Sequence, residues 1–240
     1  MGERLSEIWV YLAASPLLGL TVTLLAYQAA HWIYLRANMS PFANPVASSI
    51  ALLVVILWST DTPYATYFDG AQFVHFLLGP ATVALAVPLY ANLARLKREL
   101  LPIGGALIAG AMTAAVSAMA IGWLAGATRA TVISLAPKSV TTPIAMGLAE
   151  KLGGLPSLTA VFVVLTGIIG AVLARGVLDA LRIRDDAVRG IAIGVAAHGI
   201  GTARAFQVSA TMGAFAGLAM GLSGVVTTLL LPLVLRFAQG

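Results

Sequence analysis

No cysteine occurs among the 240 residues, which excludes disulfides, thiolate-bound metals and thiol nucleophiles. Charge is scarce too: Asp, Glu, Lys and Arg make up 10% of the chain, against about 25% in soluble domains. Carboxylates are missing from two long stretches, since none lies between Glu99 and Glu150 and none follows Asp186. What fills the chain instead is apolar, at 60% hydrophobic residues. Such a chain is expected to be an all-α polytopic membrane protein. Its length admits roughly six to eight spans of about 20 residues and a single transmembrane domain over residues 1–240. The net charge of +5 comes from basic residues scattered over short connections, which suits orientation in a membrane better than nucleic acid.

One stretch stands out against this background. Ser134 to Ala145, SLAPKSVTTPIA, sets a lysine and four hydroxyls around two prolines. An ammonium at the bilayer centre costs about 2.5 to 3.5 kcal/mol, so Lys138 is expected to line a cavity rather than face lipid. Pro137 and Pro143 each remove a backbone donor and argue against one continuous helix.

The apolar runs divide into seven expected spans: 9–35, 45–58, 72–93, 101–125, 158–181, 187–206 and 212–235. The first exceeds the apolar core of a signal peptide and is expected to be retained. Span 3 contains Gly79 and Pro80, a break or a kink, with His75 one turn before it as a candidate proton carrier. Span 6 contains His198, Gly199, Ile200, Gly201, Thr202, Ala203 and Arg204. There the two glycines allow the backbone to open, Thr202 could cap a new half-helix, and its positive end would suit an anion. Arg204 offers a bidentate fork for a carboxylate, and His198 a proton carrier near neutral pH.

Basic residues cluster at Arg95, Lys97 and Arg98, and again at Arg182, Arg184 and Arg189. The positive-inside rule places both clusters in the cytoplasm, so an even number of crossings separates them. Two spans lie between, which makes 131–152 a re-entrant hairpin with residues 137–142 at its tip. In the competing count that stretch is an eighth span and one cluster lies outside. With seven crossings, spans 2–4 and 5–7 run in opposite directions, the pattern of an inverted repeat in a secondary transporter. Lys138 and Arg204 have no acid on their own segments, so an imported anion is the simplest counter-charge. The alternative is that both snorkel to an interface or bond backbone carbonyls.

The segments FLLGPATVALAVPLY, LAPKSVTTPIA, LTAVFVVLTGIIGA and HGIGTARA resemble those of the LrgB or CidB-like family, named for holin or antiholin-like effectors of murein hydrolase export. The plant plastidal glycolate/glycerate translocator is similar in its C-terminal half. The resemblance implies a bacterial-type cytoplasmic membrane protein that moves small monocarboxylates such as glycolate, glycerate or pyruvate. It also implies a separate small LrgA-type membrane partner.

Two functions follow. As a proton-coupled carrier, the chain would bind its acid among Lys138, Ser139, Thr141, Thr142, Thr202 and Arg204, with His198 and His75 carrying the proton and no cofactor or metal. As a pore or regulator of hydrolase export it would need a homo-oligomeric channel and no compact cationic pocket. An intramembrane hydrolase built on Ser139 is disfavoured, because adjacent Lys138 and Ser139 would point to different helix faces and no acid orients His198; the chain is not expected to be an enzyme.

Overall fold

The computed structural model describes residues 16–40, 43–77, 80, 83–84 and 86–237, which are helical with no strand among them. The chain is an all-α polytopic membrane protein, and it divides into two compact units, Met1–Ala84 and Leu85–Gly240.

The first unit contains α1 (Pro16–Arg36), α2 (Pro45–Ser59) and α3 (Tyr64–Phe76). Asn44 caps α2, its side chain accepting from the N–H groups of Val46 and Ala47, and Pro45 sits where its missing N–H does no harm. α1 packs closely on α3 at Gly19, where a Cβ would lie 2.5 Å from the carbonyl oxygen of Tyr67. The hydroxyls of Thr23 and Tyr67 meet at 2.7 Å one turn further along. α3 stops at Phe76, and Pro80 lies in helical backbone beyond it. Gly79 and the side chain of His75 lie outside the described residues.

The second unit carries α4 (Ala86–Ala91), α5 (Leu93–Arg98), α6 (Leu100–Leu124), α7 (Arg129–Leu135), α8 (Thr142–Leu152), α9 (Pro156–Ala180), α10 (Asp186–Val208) and α11 (Ala210–Phe237). Among the described residues three helices are long and apolar enough to cross a membrane: α6, α9 and α11. At 1.5 Å per residue, the 25 residues of α6 and α9 exceed the ~30 Å hydrocarbon thickness. The 7 residues of α7 and 11 of α8 do not. These two short helices form a hairpin. Thr128 caps the first arm, and the second ends on Gly153, whose φ of +86° is a left-handed conformation that favours glycine. The chain then leaves beside its point of entry, because the N–H of Leu155 donates to Ser134 Oγ at 2.7 Å and Thr159 Oγ1 donates to the Ser134 carbonyl at 3.2 Å. An eighth span would carry Leu155 away from Ser134. The stretch 129–152 is therefore re-entrant, as the distribution of basic residues predicts.

The segment expected to form span 6 folds differently. α10 starts on Asp185, which caps it by accepting from the Val188 N–H at 3.0 Å. It then doubles back at Ala197 (φ −129°, ψ 16°) and His198 (φ 39°, ψ −134°). Ser209 Oγ consequently donates to Asp186 Oδ2 at 2.6 Å, whereas a straight helix would separate these residues by roughly 34 Å. This is a second re-entrant hairpin, with arms 186–197 and 199–208. Gly190, Gly194 and Gly201 serve packing rather than opening. A Cβ at Gly201 would lie 2.6 Å from Ala197 Cβ, and one at Gly190 or Gly194 would strike the carbonyl oxygen of Met212 or Ala216 on α11.

The two hairpins enter from opposite faces. Arg95 bonds Asp185 at 2.8 Å, so both basic clusters share one face with the open end of the second hairpin. The first hairpin opens on the other face, where Ile133, Ala136 and Leu148 pack with Leu231 and Leu235 near the end of α11.

Candidate functional site

The tips of both hairpins reach the same point on α9. Val140 and Ala145 of the first pack on Val163. The His198 ring of the second lies with Nε2 2.9 Å from the Val163 carbonyl oxygen. A carbonyl only accepts, so this nitrogen carries a hydrogen. The ring fits because α9 has Gly167 there; a Cβ would lie 2.6 Å from His198 Cε1.

Beside this meeting point is a cavity of about 970 Å³, lined by Glu99 and by α6 as far as Ala114, by Thr166, Ile169 and Gly170 of α9, by the first arm of the second hairpin, and by Lys138 and Ser139. It begins at the basic face and ends at mid-height of α6 and α9, within the size range of about 300–1,000 Å³ usual for ligand sites. Its polar lining is Glu99, Thr113, Lys138, Ser139 and Thr166. Glu99 lies at the mouth and is held by Arg95 at 3.0 Å. Lys138 therefore has no carboxylate partner among the described residues. Its Nζ donates to Ser139 Oγ at 3.3 Å, long for a charge-assisted bond, and an ammonium has three donors.

Why Lys138 is held here follows from the local chain. α7 stops before Pro137, and successive tight turns bring the N–H of Lys138 to the Leu135 carbonyl at 3.2 Å and that of Val140 to the Pro137 carbonyl at 3.2 Å. In this turn Lys138 and Ser139 both line the cavity, which corrects the expectation that helix geometry would point them apart. Thr141 takes the N-cap position of α8 without a side-chain cap bond, and Pro143 occupies its first turn. The positive end of α8 thus starts at the tip beside Lys138.

The residues expected in the other half of the site are distributed differently. Arg204 lines a separate pocket with Arg175, Asp179, Arg184 and Arg189, and its Nη1 donates to Gln207 Oε1 at 3.1 Å. The two cations therefore do not face one cavity, because the fold-back of α10 carries Arg204 down the second arm toward the basic face. Thr202 is buried and donates to the His198 carbonyl at 2.8 Å; it ties down the turn rather than capping a half-helix. The break itself falls on Ala197 and His198, not on Gly199 or Gly201. Sequence reasoning missed the neighbours on the straight helices, Thr113 and Thr166, each a lone threonine in an apolar run. It also missed Gly167 and Gly170, whose lack of Cβ makes room for the second tip.

Comparison with known proteins returns one family, described as LrgB-like, matched over residues 23–237. An uncharacterized protein of Bacillus subtilis, YwbG, is 36% identical over 222 residues, covering 92% of this chain and 98% of its own length. A second from the same organism, YxaC, is 35% identical over 213 residues, 89% of this chain and 92% of its own. The antiholin-like protein LrgB of Bacillus mycoides is 28% identical over 223 residues, 93% and 97% of the two chains. No solved structure matches.

Proposed function

The chain belongs to the LrgB-like family, and from that premise we propose that it is a membrane carrier for small monocarboxylates of the glycolate, glycerate or pyruvate type. The observation that carries this reading is Lys138. It is an ammonium at mid-height in the membrane, lining a cavity that opens to the basic face, with no carboxylate partner among the described residues, since the cavity's Glu99 is paired with Arg95. A carboxylate arriving from the basic face would supply the missing counter-charge, with Ser139 and the positive end of α8 as further donors. Thr141 and Thr142 flank that end. Toward the other face the route is filled by the packed side chains of Ala115, Ile133, Ala136 and Leu148, so passage requires the hairpins to shift against α6 and α9. His198, at the junction of the two tips, is the residue to carry a coupled proton. Arg204 and Thr202 lie outside the lining of this cavity and take no part in binding the acid. The expected setting is a bacterial cytoplasmic membrane, with a small LrgA-type protein as partner.

A second reading is favoured by the relatives' names. Several are called antiholin-like, which speaks for a regulator of murein hydrolase export more directly than for carriage of an acid. Proteoliposomes separate the two. A carrier gives saturable uptake of labelled glycolate, glycerate or pyruvate, abolished by Lys138→Gln without loss of folded protein. Absence of uptake with and without an LrgA-type partner, or size-independent dye release that Lys138→Gln leaves intact, would overturn the carrier reading and leave the regulator.

A further inference from the structure

The Lys138 cavity is far larger than a two- or three-carbon acid. Such an acid has about five to seven non-hydrogen atoms, and at roughly 30 Å³ for each it fills about a fifth of the 970 Å³. The polar lining is also confined to the two ends. Lys138, Ser139, Thr113 and Thr166 surround the inner end at mid-height, and Glu99, paired with Arg95, lies at the mouth. Between them the walls are formed by Ala106 and Ala109 of α6, Ile169 of α9, and Ala192 and Ala196 of the second hairpin. These five side chains are exposed rather than packed, so the space beside them is open. Water in that space meets no hydrogen-bonding side chain on these walls. Such a wall is ordinary where it faces lipid, but this one leads to an ammonium, which hydrocarbon cannot satisfy.

We propose that the acid taken by this cavity is amphipathic, a monocarboxylate whose head meets Lys138 and Ser139 and whose aliphatic tail lies along the alanine wall toward the mouth. A tail of about four carbons has room, since α6 rises roughly 10 Å between Ala106 and Thr113. This rests on the carrier reading and narrows its substrate to the longer homologues of pyruvate. Displacing poorly bonded water with an apolar group raises affinity, by about three- to fourfold for each methylene fully buried. A dicarboxylate of the same length gains nothing, because its second charge lies against methyl groups with no donor to receive it.

The test is titration calorimetry of the whole protein in detergent with pyruvate, 2-oxobutanoate, 2-oxohexanoate and the dicarboxylate 2-oxoadipate, which share one head group. Affinity is expected to rise roughly thirty- to sixtyfold over the three methylenes that separate pyruvate from 2-oxohexanoate, and 2-oxoadipate to bind no tighter than pyruvate. Ala109→Leu, which fills the wall, is expected to abolish the gain with length, and Lys138→Gln to bind none of these acids. Pyruvate bound as tightly as 2-oxohexanoate, an equal gain with 2-oxoadipate, or a gain that Ala109→Leu leaves untouched would each overturn the proposal while the carrier reading stands. Binding of none of the acids by the unmodified protein would overturn both. If Ala109→Leu does not fold, the comparison of 2-oxohexanoate with 2-oxoadipate decides the matter alone.

Discussion

His198 Nε2 sits 2.9 Å from the carbonyl oxygen of Val163, and Val163 is the residue on which the tip of the opposing hairpin packs. One backbone position of α9 thus joins two re-entrant elements that enter from opposite faces. A shift of either tip must break or carry this contact.

The histidine is held at a backbone conformation of φ 39° and ψ −134°, which favours glycine and costs other residues about 1–3 kcal/mol. Replacing His198 by Ala removes the hydrogen bond and the buried ring but keeps the strain; replacing it by Gly removes all three. The Gly variant is therefore expected to unfold at a higher temperature than the Ala variant, although Gly has the greater unfolded-state entropy. Thermal unfolding of both in one detergent checks the order. Both are expected to lose proton-coupled uptake.

Close approach at glycine, together with apolar packing of Ile193 and Ala205 on Met212 and Ala216, fixes the second hairpin against α11. At Gly194 a Cβ would lie 2.2 Å from the Ala216 carbonyl oxygen, which belongs to the backbone, while at Gly176 nothing lies within 4 Å. Gly194→Ala is expected to destabilise by about 1–3 kcal/mol. Gly176→Ala, inside α9, is expected to stabilise by up to about 1 kcal/mol. Chemical unfolding of the pair gives opposite signs; the same sign for both would mean that the hairpin is not packed as described.

How much of this was legible beforehand depends on the kind of signal. Lys138 between Pro137 and Pro143 announced a non-helical, cavity-facing turn, because charge and proline act locally and are visible in any sequence. The two basic clusters sharing a face required the first hairpin to return, and the bond from Leu155 to Ser134 shows that it does. The second hairpin was hidden. A stretch such as 186–208 is long enough to pass for a span, and its reversal rests on a histidine, a residue with no marked preference for the conformation it adopts here. Glycines 199 and 201 drew attention to the right turn for the wrong reason, as Gly201 is required by the neighbouring arm. Arg204 falls outside the Lys138 site, and this is hidden because sequence gives proximity along a helix and says nothing of which flank a doubled-back arm presents.

At the mouth of the cavity Arg95 bridges Glu99 at 3.0 Å and Asp185 at 2.8 Å, tying α5 and α6 to the start of the second hairpin. The Arg95 guanidinium, helped by the Val188 N–H, holds the Asp185 carboxyl below the usual carboxylate range. Its partner Arg95 is raised, chiefly by the same bond, and stays charged throughout. A depressed carboxyl contributes its stabilisation above the ordinary carboxylate value of about 3.9 and loses it as the pH falls through the lowered one. Near neutral pH the bridge is therefore intact, and Asp185→Asn, which keeps an N-cap oxygen, is expected to remove the ionic part alone. Because both side chains are partly exposed, the loss is expected to be under about 1 kcal/mol. It should show as faster amide exchange confined to the first turn of α10. In the unmodified protein the same acceleration is expected only in strongly acidic buffer; its onset near pH 6 would mean that Asp185 is not the group that titrates.

The doubling-back of α10 can be tested without any assumption about function. Ser209 Oγ donates to Asp186 Oδ2 at 2.6 Å, so the two residues are neighbours across the open end of the hairpin. The chain has no cysteine of its own, and the double variant Asp186→Cys, Ser209→Cys therefore places its only two thiols at these positions. Mild oxidation or a short bifunctional thiol reagent is expected to join them within one molecule, leaving no free thiol for a fluorescent maleimide. A control pair, Asp186→Cys with Ala197→Cys, separates the thiols by the length of one arm, about 16 Å, and is expected to stay open. A transmembrane crossing by α10 would put residues 186 and 209 at opposite faces and leave both pairs unjoined.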